Sequence, residues 1–306
     1  MPIVSVVIPL YNKVNYVGRA IESVLFQTVH DFEVIVVNDG STDGSEKVVE
    51  GYRDSRIRLI HRDSPSPGGH RARNEGIRNA RSDFIAFLDA DDEWKDKFLE
   101  TVLRLRDKFP SAGGYATAYE EREGDKIKMP KFWFIPEGDW EGLIPDYFKS
   151  CVYGTSPVCT SAVAIPKYVF DMVGYFPEGV KKGGDLDMWA RIALRYPVAF
   201  SRYIGATYYK DVPGSVVKTY KVEKYRAVDT IEEYLKSNPN MPEKRKKHIR
   251  EYANRLRLKS AKVCINTGEL KLAITHLKNC HTRIFIKKKL GLYLKALFLQ
   301  IKRNKQ

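Results

Sequence analysis

Over its first 108 residues the chain alternates short β-branched runs with segments of helical periodicity. Val4–Leu10, Glu33–Asn38, Ile57–His61 and Phe84–Leu88 read as strands. Between them, Val14–Gln27 places Val17, Ile21, Val24 and Leu25 at helical spacing. Further helices are expected up to about Tyr52, over His70–Ala80, and over Lys95–Lys108 with Phe98, Val102 and Leu105 on one face. Near-continuous apolar strands separated by amphipathic helices require a mostly parallel sheet covered on both faces, an α/β architecture. Such sheets bind ligands beyond the carboxyl ends of their strands. The polar residues at those ends are Tyr11-Asn12, Asp39-Gly40 and Asp89-Ala-Asp-Asp92.

With 43% hydrophobic residues in 306, the chain has apolar surface enough for an ordinary core, which excludes dominant disorder. No stretch reaches the roughly 18 uninterrupted apolar residues of a spanning helix. Met1 runs directly into the first strand without a basic leader region, so no signal peptide is expected. Four irregularly spaced cysteines suit reduced thiols better than disulfides or zinc. The net charge of +14 is unevenly placed. Residues 242–306 hold 19 Lys/Arg and 3 Asp/Glu, leaving a balance of −2 for the rest. The basicity is that of a tail, which argues against nucleic acid as the main domain's partner.

Three carboxylates in Asp89-Ala-Asp-Asp92, directly after a buried strand, repel one another unless a cation compensates. Alternate carboxylates on a strand end suit Mg²⁺ or Mn²⁺ bridging substrate phosphates; the competing reading is a solvated helix N-terminus. At least one of Ser41, Thr42 and Asp43 is expected to cap the next helix, which leaves Asp39 unexplained. His70-Arg-Ala-Arg-Asn74 follows the Pro/Gly-rich loop Ser64–Gly69, and its arginines can reach a diphosphate or a base edge. The glycines form neither a GxGxxG nor a Walker sequence. The stretch 113–213 is less regular and aromatic-rich, and is expected to supply the remaining strands and one wall of a cleft. Helical periodicity returns near Tyr225–Leu235, breaks at Asn238-Pro-Asn-Met-Pro242, and resumes from Glu243.

Val6-Val-Ile-Pro-Leu-Tyr-Asn12, Glu33-Val-Ile-Val-Val-Asn-Asp-Gly-Ser-Thr-Asp43, Ala72-Arg-Asn-Glu-Gly-Ile77 and Phe87-Leu-Asp-Ala-Asp-Asp-Glu-Trp94 together resemble the family 2 glycosyltransferases, which have the GT-A fold. The resemblance covers roughly residues 3–215. It implies that Pro9, Tyr11 and Asp39 line a nucleoside pocket, with Arg73 near the nucleotide. Asp89 and Asp91 would form the family's DxD pair, Asp91 the direct metal ligand, Asp89 nearer the ribose and Asp92 assisting. Gly183-Gly-Asp-Leu-Asp-Met-Trp-Ala-Arg191 resembles the family's ED-x-D-x-W-x-R segment, with Gly184 where Glu is common. This makes Asp185 the general base, the carboxylate that an inverting transfer needs on its acceptor side. The bland alternative has Asp185 and Asp187 capping a helix, and for Asp187 the cap is the favoured reading. The histidine that family members often supply near Tyr208–Ser215 is missing; either Asp211 substitutes, or the metal leans on the DxD pair and the diphosphate.

The expected protein is a GT-A domain over 1–220 with a basic helical extension over 221–306. It would be a Mn²⁺- or Mg²⁺-dependent inverting glycosyltransferase, moving a sugar from a UDP-type donor to a hydroxyl of a glycan or lipid-linked saccharide. A nucleotidyltransferase would share the sheet and the acids but usually carries a Gly-rich loop after the first strand, where Pro9-Leu-Tyr-Asn12 stands. A non-catalytic binding protein would tolerate loss of the acids, all of which are present. Arg283–Gln306 interleaves eight Lys/Arg with apolar residues and has no acid. That suits either an amphipathic helix on an anionic membrane surface or a packed helix with a basic face. The expected location is cytoplasmic, with the inner face of the cell membrane as a possible peripheral site.

Overall fold

The computed structural model describes residues 1–62, 67–213 and 224–304. Ser64–Ser66 of the Pro/Gly-rich loop, Gly214-Ser215 and the expected boundary at 220/221 lie outside the described residues. The first half is a regular α/β series: β1 (Val4–Leu10), α1 (Val17–Leu25), β2 (Phe32–Asn38), α2 (Ser45–Glu50), β3 (Ile57–His61), α3 (His70–Asn79), β4 (Phe84–Phe87), the two-residue β5 (Glu93–Trp94) and α4 (Phe98–Lys108). There follow β6 (Gly114–Glu123), β7 (Lys126–Lys128), β8 (Glu141–Leu143), α5 (Tyr147–Tyr153), β9 (Val163–Pro166), α6 (Lys167–Val173), α7 (Gly184–Arg195) and β10 (Val198–Tyr209). Four helices complete the described chain: α8 (Arg226–Ser237), α9 (Glu243–Thr267), α10 (Leu270–Lys278) and α11 (Ile286–Asn304).

The sheet runs β3-β2-β1-β4-β9-β6-β10-β5, with β7 and β8 attached to β6 and β10. β3, β2, β1 and β4 are parallel, as their unbroken apolar runs require. The second half is mixed: β9 runs antiparallel to β4 and β6, whereas β6 and β10 are parallel. The chain steps outward from β1 to β3 and returns to β4 on the other side of β1, so a crevice opens at the carboxyl ends of β1, β2 and β4. Gly76 lets α3 lie directly on β1, because a Cβ there would come within 3.2 Å of Val7 Cβ. That close approach carries Arg73 to the crevice.

The first two C-terminal helices share the core of the sheet. Ile249, Tyr252, Ala253 and Leu256 of α9 belong to the same buried cluster as the sheet residues, along with Ala227 and Ile231 of α8. α11 packs Leu292, Ala296 and Leu299 against α9 and α10. Its other side leaves Ile286, Leu290, Leu294, Phe298 and Ile301 exposed, up to 69% at Phe298. The tail therefore has both the packed face and the open apolar face that the sequence left as alternatives. No helix among the described residues is long and apolar enough to cross a membrane, and all four cysteines are free.

Candidate active site

The loops after β1 and β2 are fastened to each other. Asn12 takes a positive φ of 50°. Its backbone N–H donates to Ser41 Oγ at 3.1 Å, and its side-chain oxygen accepts from Thr42 N at 2.8 Å. Lys13 N donates to Ser45 Oγ and Val14 N to Asp43. Ser41 and Thr42 thus join two loops, while Asp43 also accepts from Ser45 N at the start of α2. Asp39 is buried at the end of β2, and its carboxylate accepts from Arg62 Nε at 2.8 Å. Tyr11 is 49% exposed at the crevice.

The structure separates the three clustered acids. Asp89 is ion-paired with Arg73, whose guanidinium also donates to Gly68 O at 3.3 Å and lies over the Phe176 ring. Asp91 Oδ2 stands 3.4 Å from Lys13 Nζ, and its backbone carbonyl accepts from Arg19. Burial first, then Asp89, pushes the Asp91 carboxyl up, and Lys13 opposes them. Asp92, expected to assist at a metal, is instead fully buried below the site. It accepts from Ser161 Oγ and, at 3.0 Å, from the Tyr209 amide. The short β5 that follows pairs with β10, and this turns Asp92 inward. Burial and the charges of Asp91 and Asp89 hold its carboxyl well above the ordinary range.

Asp185 enters from the opposite wall, in the first turn of α7. Burial raises its carboxyl, and Asp89 adds to the rise; the Leu186 amide and Arg73 counter it. It therefore shares an electrostatic site with the Arg73–Asp89 pair. The residue that precedes α7 is Gly183 in a left-handed conformation, with no side-chain cap. Asp187 is not a cap either: it accepts from Arg191 Nε at 2.9 Å and from Thr230 Oγ1 at 2.5 Å, tying α7 to α8. Beneath Gly184 lies His70, 3% exposed, stacked on Phe176 and with neither ring nitrogen partnered among the described residues. Its imidazole occupies the space that a side chain at 184 would fill.

Asp89 and Asp91 offer two hard carboxylate donors, a set that suits a divalent ion sharing a diphosphate. Asp211 does not extend it. Its carboxylate accepts from the Gly124 amide at 3.0 Å, and no cluster of three candidate ligands forms among the described residues. Sequence reasoning missed Lys13, Arg19, Arg62 and Ser161. Lys13 directly follows the Tyr11-Asn12 strand end, a position that could have revealed it; the other three reach the site only through tertiary packing.

Comparison with known proteins agrees with this fold. The family model described as glycosyl transferase family 2 matches residues 5–165, more than half of the chain. An uncharacterized glycosyltransferase of Rickettsia felis is 34% identical over 194 residues, 63% of this chain but 30% of that protein. The putative teichuronic acid biosynthesis glycosyltransferase TuaG of Bacillus subtilis is 36% identical over 138 residues, 44% of this chain and 54% of its own length. This chain thus matches only a part of these relatives. Crystal structures of S. aureus TarS 1–349 with UDP-GlcNAc and with UDP share the fold, each with a TM-score of 0.71. Identities are 18% and 19%, with all of this chain and 93% and 92% of those chains covered. The chain belongs to glycosyl transferase family 2.

Proposed function

We propose that the protein transfers a sugar, with inversion, from a uridine diphosphate donor to a hydroxyl of a glycan or lipid-linked saccharide. The observation that carries the reading is the convergence, across one crevice, of the Asp89–Arg73 and Asp91–Lys13 pairs with Asp185 on the far wall. Tyr11 and Pro9 would border the base, and Asp39, fixed by Arg62, would receive its polar edge. Arg73 and Lys13 would offset the charge that develops on the departing diphosphate. Asp185 would take the acceptor proton, and its raised carboxyl makes it a stronger base than an ordinary aspartate. Mn²⁺ or Mg²⁺, held by Asp91 with Asp89, would supply further charge stabilisation on the leaving group. The uridine choice is supported by the UDP-GlcNAc and UDP of the TarS structures, and a surface-glycan acceptor by the biosynthetic role named for TuaG.

Calorimetric titration with UDP and other nucleoside diphosphates, with and without Mn²⁺, tests the donor assignment. UDP should bind best, and Asp91→Asn should remove the Mn²⁺ dependence while the protein stays folded. Undiminished Mn²⁺-stimulated affinity in that variant would take Asp91 out of the site. Hydrolysis of a UDP-sugar panel would then give the sugar.

A further inference from the structure

We infer that the C-terminal helical region completes the acceptor side of the cleft, and that Lys259 of α9 there recognises an anionic group on the acceptor saccharide. The inference rests on the transfer reading above. A cavity of about 650 Å³ is lined by Leu186, the residue after Asp185, and by Tyr208. Burial holds the Tyr208 phenol un-ionised, and the charges of Asp92, Asp89 and Asp91 reinforce this, which locates the cavity beside the acids. Tyr252, Arg255 and Lys259 of α9 form another part of its lining. This wall is fixed in place. Arg255 donates to the carbonyls of Cys151, Val152 and Gly154 at the end of α5. His248 Nδ1 lies 2.6 Å from Asp146, and the Tyr252 ring meets Phe148 at 5.7 Å.

Two observations point to a ligand. The Tyr252 hydroxyl is buried at this cavity without a partner among the described residues, a costly state unless a ligand supplies the hydrogen bond. Lys259 is exposed; its charged neighbours are the cations Arg255 and Lys288, opposed by the Asp185 carboxylate. It makes no ion pair among the described residues, whereas the lining acid Glu121 is already paired with Lys210 at 2.5 Å. Glu123, the other lining acid, is exposed. The Thr155 hydroxyl can both donate to and accept from a sugar, whereas that of Ser156 is already bonded to Val158. A saccharide seated here, with a phosphate ester or a carboxylate directed at Lys259, would satisfy both groups.

The test titrates glycerol 3-phosphate, glucuronate and uncharged glycerol into the full-length protein saturated with UDP. At least one anion should bind where glycerol does not, and which one binds identifies the phosphate or the carboxylate. Lys259→Ala should weaken that binding at least tenfold, Lys259→Arg should restore it to within about threefold, and UDP affinity should be unchanged in both. Tyr252→Phe should weaken it severalfold. Binding of neither anion, or equal binding by Lys259→Ala, would overturn the inference. Absence of UDP binding would instead refute the donor assignment, and the same comparison without nucleotide would still decide the role of Lys259.

Discussion

A side chain at Gly184 should be tolerated only if His70 is made smaller. An ideal Cβ at 184 would lie 2.9 Å from both Cδ2 and Cε1 of His70, and nearer still to Nε2. The imidazole cannot retreat readily, because it is buried and stacked on Phe176 at 5.9 Å. Overpacking of this kind costs about 1–3 kcal/mol, partly offset by the ~1 kcal/mol helix preference of Ala over Gly. Gly184→Ala should therefore destabilise by up to about 2 kcal/mol. His70→Ala loses packing but also removes two unpartnered buried nitrogens, so its cost should fall below the ~3–5 kcal/mol of a large aromatic truncation. In the double variant the clash is gone, and the cycle should show a favourable coupling of about 1–3 kcal/mol, the size of the overpacking cost. Urea unfolding of the four proteins measures it, and additivity within about 0.5 kcal/mol would refute the argument. The same imidazole gives a pH signature. Burial, then Arg73, lowers its pKa to about 3, so below its ordinary value of about 6.5 the unfolded chain binds a proton that the folded protein refuses. Stability should fall as pH drops from about 6.5 towards 3, by up to roughly 1.4 kcal/mol per pH unit. His70→Gln should lose that contribution.

Asp185→Asn should leave UDP affinity within about threefold and cut turnover by roughly 10²–10⁴; collapse of donor affinity with turnover intact at saturation would show that Asp185 is not the base. In the wild type, turnover should fall on acidification at a pH above the ordinary carboxylate range, because burial raises the Asp185 carboxyl and protonation removes the base. Asp92→Asn should keep Mn²⁺-dependent UDP binding, whereas Asp92→Ala should cost about 2–4 kcal/mol in urea unfolding by stranding the Tyr209 amide and opening a void. Loss of Mn²⁺ dependence in the Asn variant would return Asp92 to the metal site. Replacing the exposed Leu290, Leu294 and Phe298 with Gln should weaken binding to vesicles of anionic lipid while leaving the packed face of α11 intact, and binding should also fall with salt; unchanged binding would exclude that face as an anchor.

What the sequence revealed and what it hid divide by the range of the contacts involved. The parallel half of the sheet was legible because each of its strands carries its own signal, an apolar run ending in a polar residue. Helix bounds were less legible: α1 begins at Val17 rather than Val14, and α4 at Phe98 rather than Lys95. Asp89, Asp91 and Asp185 could be placed at the crevice because strand ends and one helix start locate them. Asp92 could not. Its inward turn depends on β5 pairing with β10, and the Tyr209 amide that it accepts from is 117 residues away.

The C-terminal helices show the same limit from the other side. α9 buries Lys246, Glu251, Asn254 and Arg257, so its polar residues fall on more than one side and blur the amphipathic pattern that would announce a core helix. Each has a tertiary or local partner: Glu251 accepts from Thr282 and the Arg283 amide, Asn254 donates to His281 O, Arg257 pairs with Glu232, and Lys246 donates to Pro239 O. Partnered in this way, buried polar groups need not weaken the helix. Read along the chain alone, the same residues look like a solvated basic face, and the region looks like an appendage. Its apolar residues point the other way, since Ile249, Tyr252 and Leu256 close the core that the sheet begins. The side of α9 that lines the cavity, Tyr252, Arg255 and Lys259, is therefore held by the same packing that holds the helix to the sheet, and a substitution that loosened α9 would disturb that lining.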